Sequence, residues 1–319
     1  MDHMTRLGTT DLYVSRLCLG GNVFGWTATA AESAGALDAF LAAGGNFIDT
    51  ADSYAHWADG NTGGESETIL GEWMAARRNR DQVVLATKVG EGPRLRGLAP
   101  DNIRAAVDAS LTRLQTDAVD ILYAHFDDQT VPLADALGAF DEIVRAGKAR
   151  YVAASKYSAA RLAEALDVQA REGFAPFVAL SHHYNLMRRD SYEGEMEQLC
   201  TARGVAFVPF FALASGFLTG KYRTVPVAGA ARERYVADYL ADARGPAVLA
   251  ALDQVAASHE VSQAAVALAW LAAKPGITAP VASARTAAQA AEITAMLSLE
   301  LSAADMATLD AASATPATR

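Results

Sequence analysis

The stretch SRLCLGGNVFG (15–25) decides between two folds. An apolar run leading into glycines is how the first strand of a doubly wound open sheet ends, and a phosphate-binding G-x-G-x-x-G turn normally follows it. Here Asn22 stands where the second glycine of that pattern belongs. No G-x-x-x-x-G-K-[ST] phosphate loop occurs elsewhere in the chain either. The open sheet lacks its usual signature.

Working outward from SRLCLGG (15–21), seven more short runs rich in β-branched and apolar residues recur: NFIDT (46–50), QVVLATKVG (82–90), AVDILYAH (118–125), ARYVAAS (149–155), PFVALSHH (176–183), GVAFVPFF (204–211) and GITAPVAS (276–283). Between them, segments such as DNIRAAVDASLTRLQ place apolar residues at i, i+3, i+4 and i+7, the period of a one-faced helix. Pro100-Asp101 and Ser158 open two of these helices, and SAAD (302–305) has the form of a capping box with Asp in the usual Glu position. Near-continuous apolar strands joined by helices predict a parallel sheet covered by helices, and eight such units close a (β/α)₈ TIM barrel of the α/β class. Ahead of the first unit, TRLGTTDLYVSRL (5–17) predicts a β-hairpin closing the bottom of the barrel. The whole chain, 1–319, is expected to be one domain, with long loops at 55–64 and 212–244 on the rim that carries active sites in such barrels, and a frayed tail at 312–319.

Composition narrows the function. Apolar residues make up 51% and charged ones 20%, enough for a sizeable core, and the formal charge of −10 leaves no basic stripe for a nucleic-acid backbone. AAVALAWLAA (264–273) falls short of the roughly 18 residues a bilayer span needs. MDHMTRLG has no apolar signal region, and Cys18 and Cys200 have no metal or redox spacing. These features predict a soluble cytoplasmic protein without a nucleic-acid or membrane partner. Nothing in the sequence sets an oligomeric state.

In a barrel, polar groups at different strand ends converge on one face. Asp49, Tyr54, Lys88 and His125 stand at or just beyond the ends of the second, third and fourth strands, and so are expected to share a pocket. A lysine inside LATKVG needs a counter-charge if it is buried, and Asp49 can supply it. An ammonium beside a phenol favours the phenolate, so Lys88 is expected to lower the pKa of Tyr54, Asp49 to orient Lys88, and His125 to bond a substrate oxygen or relay a proton. Such a set suits reduction of a carbonyl if a nicotinamide delivers hydride. A strand-end lysine is also compatible with Schiff-base aldolase chemistry.

These residues, in this order, resemble the aldo-keto reductase family, including its bacterial branch related to potassium-channel beta subunits. NFIDTADSYAHW with GGESETILGEWM, LATKVG, VDILYAHFDD, FALASGFLTGKYR and VASARTAAQAAE are similar to that family's motifs in register over almost the whole chain. The resemblance implies an NADPH-dependent reductase of small-molecule carbonyl compounds with Asp49, Tyr54, Lys88 and His125 as catalytic residues and Tyr54 as the acid. It also implies cofactor contacts from Gly21, Asn22 and Asp49, stacking by Phe210, pyrophosphate contacts from Phe211, Ala212, Leu213, Ala214 and Ser215, and closure by Lys221. Ser283, Arg285, Gln289 and Glu292 match its adenosine-phosphate site. Arg285 beside a helix N-terminus suits a 2′-phosphate, so NADPH/NADP⁺ is expected over NADH, with Arg232 and Arg234 of the long loop as further candidate contacts.

Two departures from the family pattern bear on the nicotinamide carboxamide. Where Ser-Asn and Gln are usual, this chain has Ser155-Lys156 and Ser181. Trp57 and Phe126 are the candidate substrate contacts. No metal site is expected: His182 and His183 are adjacent in a run read as strand, so their side chains should face opposite ways. ARRNR (76–80) reads as a solvated helix end. The fold also serves regulatory channel subunits, which keeps an NADP-binding interaction protein as an alternative.

Overall fold

The computed structural model describes residues 3–223 and 233–314. Two antiparallel strands come first, β1 (Met4–Arg6) and β2 (Tyr13–Ser15). Eight parallel strands follow: β3 (Cys18–Gly20), β4 (Phe47–Asp49), β5 (Val84–Val89), β6 (Val119–Ala124), β7 (Ala149–Ser155), β8 (Phe177–Ser181), β9 (Ala206–Phe207) and β10 (Val281–Ala282). They pair in the order β10-β3-β4-β5-β6-β7-β8-β9. Between β9 and β10 the gap is bridged by Phe207 and Ile277, with Thr278 N–H donating to Phe207 O at 2.9 Å and Val281 N–H to Pro209 O at 2.8 Å. The chain forms a (β/α)₈ barrel.

The period of two along each strand divides the apolar residues into two sets. Cys18, Phe47, Val84, Ala86, Ile121, Tyr123 and Ala153 pack together inside the barrel. Leu19, Ile48, Leu85, Leu122, Val152 and Leu180 pack outward against the helices. Leu7, Leu12 and Val14 of the hairpin belong to the inner set, so the hairpin closes the end from which the strands start. Asn46, the residue before β4, ties it down: its Oδ1 accepts from Ser15 N–H at 2.7 Å, and its N–H donates to Ser15 Oγ at 3.1 Å.

Helix starts follow the sequence signals. Pro100 opens the helix Pro100–Leu114. The Ser158 hydroxyl accepts from Arg161 N–H, and Ser302 and Asp305 form the reciprocal capping box. The stretch 212–244 departs from the expected loop, because it holds the 3₁₀ turns Ala214–Thr219 and Lys221–Arg223 and a helix at Glu233–Ala241. Val236 and Tyr239, three apart, give that helix a buried edge, and the Tyr239 ring stacks on Phe217 at 6.1 Å. The two-residue edge is too short a pattern to read against an Ala-rich and Arg-rich background.

Outside the barrel, the helix Glu65–Arg77 packs on Pro100–Leu114 through Gly71, where an added Cβ would lie 2.2 Å from Arg113 O. Close approach also buries Glu67 completely. Its carboxylate accepts from Thr87 Oγ1 of β5 at 2.5 Å and lies 2.6 Å from Arg113 Nη2. Removing one partner of such a pair strands a buried charge. Arg113→Met should therefore lower the unfolding free energy by about 3 kcal/mol in a urea titration, and Glu67→Gln added to it should recover part of the loss.

Candidate active site

The inner phase of the strands brings three charged or polar side chains to the opposite, open end. Asp49 is the last residue of β4, Lys88 follows Ala86 on the inner face of β5, and His125 follows Tyr123 just past β6, its N–H donating to Val89 O at 3.0 Å. After β4 the chain turns through Tyr54 N–H to Ala51 O at 3.2 Å and Ala55 at φ 71°, which places Tyr54 above the rim. Asp49, Tyr54, Lys88 and His125 all line one cleft of about 820 Å³. The expected convergence is present.

Lys88 Nζ lies 2.6 and 2.5 Å from the two Asp49 oxygens, 3.0 Å from Thr50 O and 2.8 Å from the Tyr54 hydroxyl. Tyr54 O–H donates to Asp49 Oδ2 at 3.1 Å. Burial, with the Asp49 carboxylate against it, pushes the Tyr54 phenol well above its ordinary value. This is opposite to the expected lowering by Lys88: burial is the largest cause, and the Asp49 carboxylate that pairs with Lys88 also touches the phenol. The His125 ring stands 6.1 Å from that of Tyr54. Burial and the positive charges of Lys88 and Lys156 hold His125 well below the usual imidazole range, so it is neutral. Its Nε2 is 3.2 Å from Glu91 Oε2, and its Nδ1 is buried without a partner. The group facing Nε2 is thus a carboxylate, which only accepts.

From this centre the cleft runs past Phe210, Phe211, Ala212, Leu213, Ser215 and Lys221 to Asn22, Ser283, Arg285, Gln289 and Glu292, which all line it. Phe211, Ala214 and Ser215 have φ of 52°, 48° and 56°, an uncommon cluster of left-handed residues in one short segment. At the far end Thr286 caps the helix Ala287–Thr294, Arg285 N–H donates to Gln289 Oε1 at 2.9 Å, and Ser283 Oγ is 2.5 Å from Asn22 Oδ1. Ser155 and Ser181 face each other across β7 and β8, buried in the cleft wall. The donor set suits a dinucleotide: an aromatic face near Tyr54, hydroxyls and backbone in the middle, and a fixed cation at the end.

The other residues expected at the site lie at different depths around the cleft. Lys156 lines the cleft, but its Nζ is 2.7 Å from Glu91 Oε1, so it spans the mouth above His125. Glu91 itself was missed; its only signal in the sequence is an acidic residue between two glycines directly after the lysine strand. Gly21 and Ala214 lie behind the cleft lining. Gly21 N–H donates to Asp49 O at 2.7 Å and its carbonyl accepts from Ser66 Oγ, while Ala214 is fully buried. Phe126 is not among the lining residues and sits against Gly90. Trp57 does line the cleft, edge-on to Trp26 at 5.5 Å, and its buried Nε1 has no partner. His182 and His183 follow the end of β8, so strand alternation does not separate them, and both rings stack on Phe210. No group of three metal-ligating residues exists among the described residues. Arg232 lies outside the described residues.

Comparison with known proteins agrees with this architecture. The model of the Aldo/keto reductase family matches residues 16–314, and the chain belongs to that family. It is 36% identical to the uncharacterized oxidoreductase YrpG of Bacillus subtilis, over 89% of this chain and 88% of that protein. It is 36% identical to norsolorinic acid reductase B of Aspergillus parasiticus over 65% of this chain and 56% of the reductase. It is also 32% identical to a rice protein named "Probable voltage-gated potassium channel subunit beta", over 87% of this chain and 86% of that one. Membership makes the chain an oxidoreductase of a family that uses NAD(P)H on small molecules. No described helix is long and apolar enough to cross a membrane.

Beside the site, Asp52 is buried, with Oδ2 accepting from Gly90 N–H at 3.2 Å and Oδ1 unpartnered. Burial and the neighbouring Glu67 carboxylate push its carboxyl from 3.8 up to about 7. The folded protein then keeps a proton that the unfolded chain has already released. Stability from Asp52 is present below pH 3.8 and is lost as pH rises to about 7. Urea midpoints between about pH 4.5 and about pH 8 should fall less steeply in Asp52→Asn than in the parent, and an unchanged slope would remove Asp52 as their source.

Proposed function

We propose that this chain is an NADPH-dependent reductase of aldehydes and ketones in which Tyr54 is the general acid. The observation that carries the reading is the contact set of Tyr54: an acceptor in Asp49, a donor in Lys88, and the His125 ring beside it at one end of a long cleft. The hydride for the carbonyl carbon is the chemistry a bound reduced nicotinamide supplies. The rest falls to the side chains. The Tyr54 hydroxyl and the Nε2–H of His125 bond the carbonyl oxygen, and polarise it. As negative charge develops there, Tyr54 gives up its proton, and the Lys88 ammonium 2.8 Å away stabilises the phenolate left behind. A phenol with a raised pKa stays protonated through neutral pH, so the proton is on Tyr54 when the carbonyl oxygen needs it. Neutral His125 donates without competing as an acid.

Phe210, the Phe211–Ser215 segment and Lys221 are proposed to hold the nicotinamide and pyrophosphate, and Ser283, Arg285, Gln289 and Glu292 the adenosine end, with Arg285 on a 2′-phosphate. One domain carries the whole reaction. The buried free thiols of Cys18 and Cys200 suit a reducing cytoplasm. The reductase name of the Aspergillus relative agrees in direction with this reading. The aldolase alternative loses support, because Lys88 Nζ has four acceptors around it and no lone pair to offer.

Tyr54→Phe should abolish NADPH oxidation with an aldehyde panel while fluorescence quenching by NADPH stays near that of the parent; near-normal turnover would remove Tyr54 as the acid. Arg285→Ala should weaken NADPH binding about tenfold more than NADH binding, as loss of one charge-assisted phosphate contact implies. Equal losses would overturn the 2′-phosphate assignment. Tight NADPH binding by the parent without reduction of any carbonyl compound would favour the interaction-protein alternative, a role that the rice relative's name puts on this fold.

A further inference from the structure

Glu91 is the functional side chain that the reaction as derived above does not use. It follows β5 between Gly90 and Gly92, and Asp52 holds that corner: Gly90 N–H donates to Asp52 Oδ2, and a Cβ at Gly92 would lie 2.7 Å from the same oxygen. Glu91 lines the cleft from this anchored turn, with Oε1 2.7 Å from Lys156 Nζ and Oε2 3.2 Å from His125 Nε2. Its side chain is 34% exposed. A carboxylate has about four lone-pair sites, so these two contacts leave acceptor capacity open to the cleft.

Position and charge then select a ligand. His125 Nε2 is 3.2 Å from Glu91 Oε2, so an oxygen bonded to Tyr54 and His125 lies beside a carboxylate. A bare carbonyl compound meets that charge with nothing to offer it. One with a hydroxyl on the adjacent carbon turns the same contact into a charge-assisted hydrogen bond. A substrate carboxylate in that place is disfavoured, because Lys88 is already paired with Asp49 and Lys156 with Glu91.

We propose that Glu91 is a specificity-determining residue that selects carbonyl compounds carrying a hydroxyl on the carbon next to the carbonyl, the hydroxyl donating to Glu91 while Tyr54 and His125 hold the carbonyl oxygen. This rests on the reductase reading and names the substrate class of that same site. Lys156 is the positioning residue that keeps the carboxylate across the mouth.

Glycolaldehyde and propanal test it, since they differ by a hydroxyl in place of a methyl. The parent protein should reduce glycolaldehyde with kcat/KM at least about tenfold above that for propanal, the scale of one hydrogen bond to a charged group. In Glu91→Ala that ratio should fall to near one, and in Glu91→Gln, which keeps an acceptor but not the charge, it should lie between. A parent ratio near one, or a ratio that Glu91→Ala leaves unchanged while both rates fall together, overturns the assignment and leaves the reductase reading intact. Absence of turnover with both aldehydes and with both NADPH and NADH overturns the reductase reading and this assignment with it.

Discussion

The contact between Lys88 and Asp49, 2.5 Å long and shut inside the rim of the barrel, is the constraint around which the rest is arranged. Neither charge is tolerable there alone. Together they oblige β4 and β5 to keep the register that pairs Asp49 with Ala86 and sets Lys88 one inner position further on. That register keeps Phe47 and Ala86 inside and Ile48 and Leu85 outside, so a one-residue slip would expose apolar surface and separate the charges at once. The same contact gives Tyr54 both its acceptor and its donor. Fold and site share one set of coordinates.

Much of this was legible in the sequence because it follows from period and phase. Eight apolar runs with inner and outer faces imply the barrel, and the same alternation explains why residues 49, 88 and 125 meet. Helix starts at Pro100, Ser158 and Ser302 were legible because capping is local chemistry. What escaped depended on partners from distant elements. Glu91 looks like an ordinary loop acid until Lys156, just past β7, and His125, just past β6, stand on either side of it. The direction of the Tyr54 shift required knowing that Asp49, as well as Lys88, touches the hydroxyl. His182 and His183 were misread because β8 ends one residue before them, and a boundary is the least certain part of any strand.

Relatives of one fold can differ in task because the barrel and its rim are separable. The inner and outer packing sets leave little freedom for change, whereas the turns at 90–92 and 55–64 and the segment after β9 carry residues that line the cleft. In this chain that segment ends in the helix Glu233–Ala241, fixed by Tyr239 against Phe217 and His183. That helix is thereby attached to the segment that follows the strand end bearing Ser181.

The hairpin at the other end has a consequence for proton traffic. Leu7, Leu12 and Val14 pack into the inner apolar set, so the end of the barrel behind Asp49 and Lys88 is filled with apolar side chains. The described route from their network to bulk water is the cleft that Asp49, Tyr54 and Lys88 line. A ligand seated there separates the network from solvent for the length of its stay. Under the proposed mechanism, the proton that leaves with the product is then one that Tyr54 held when the mouth filled.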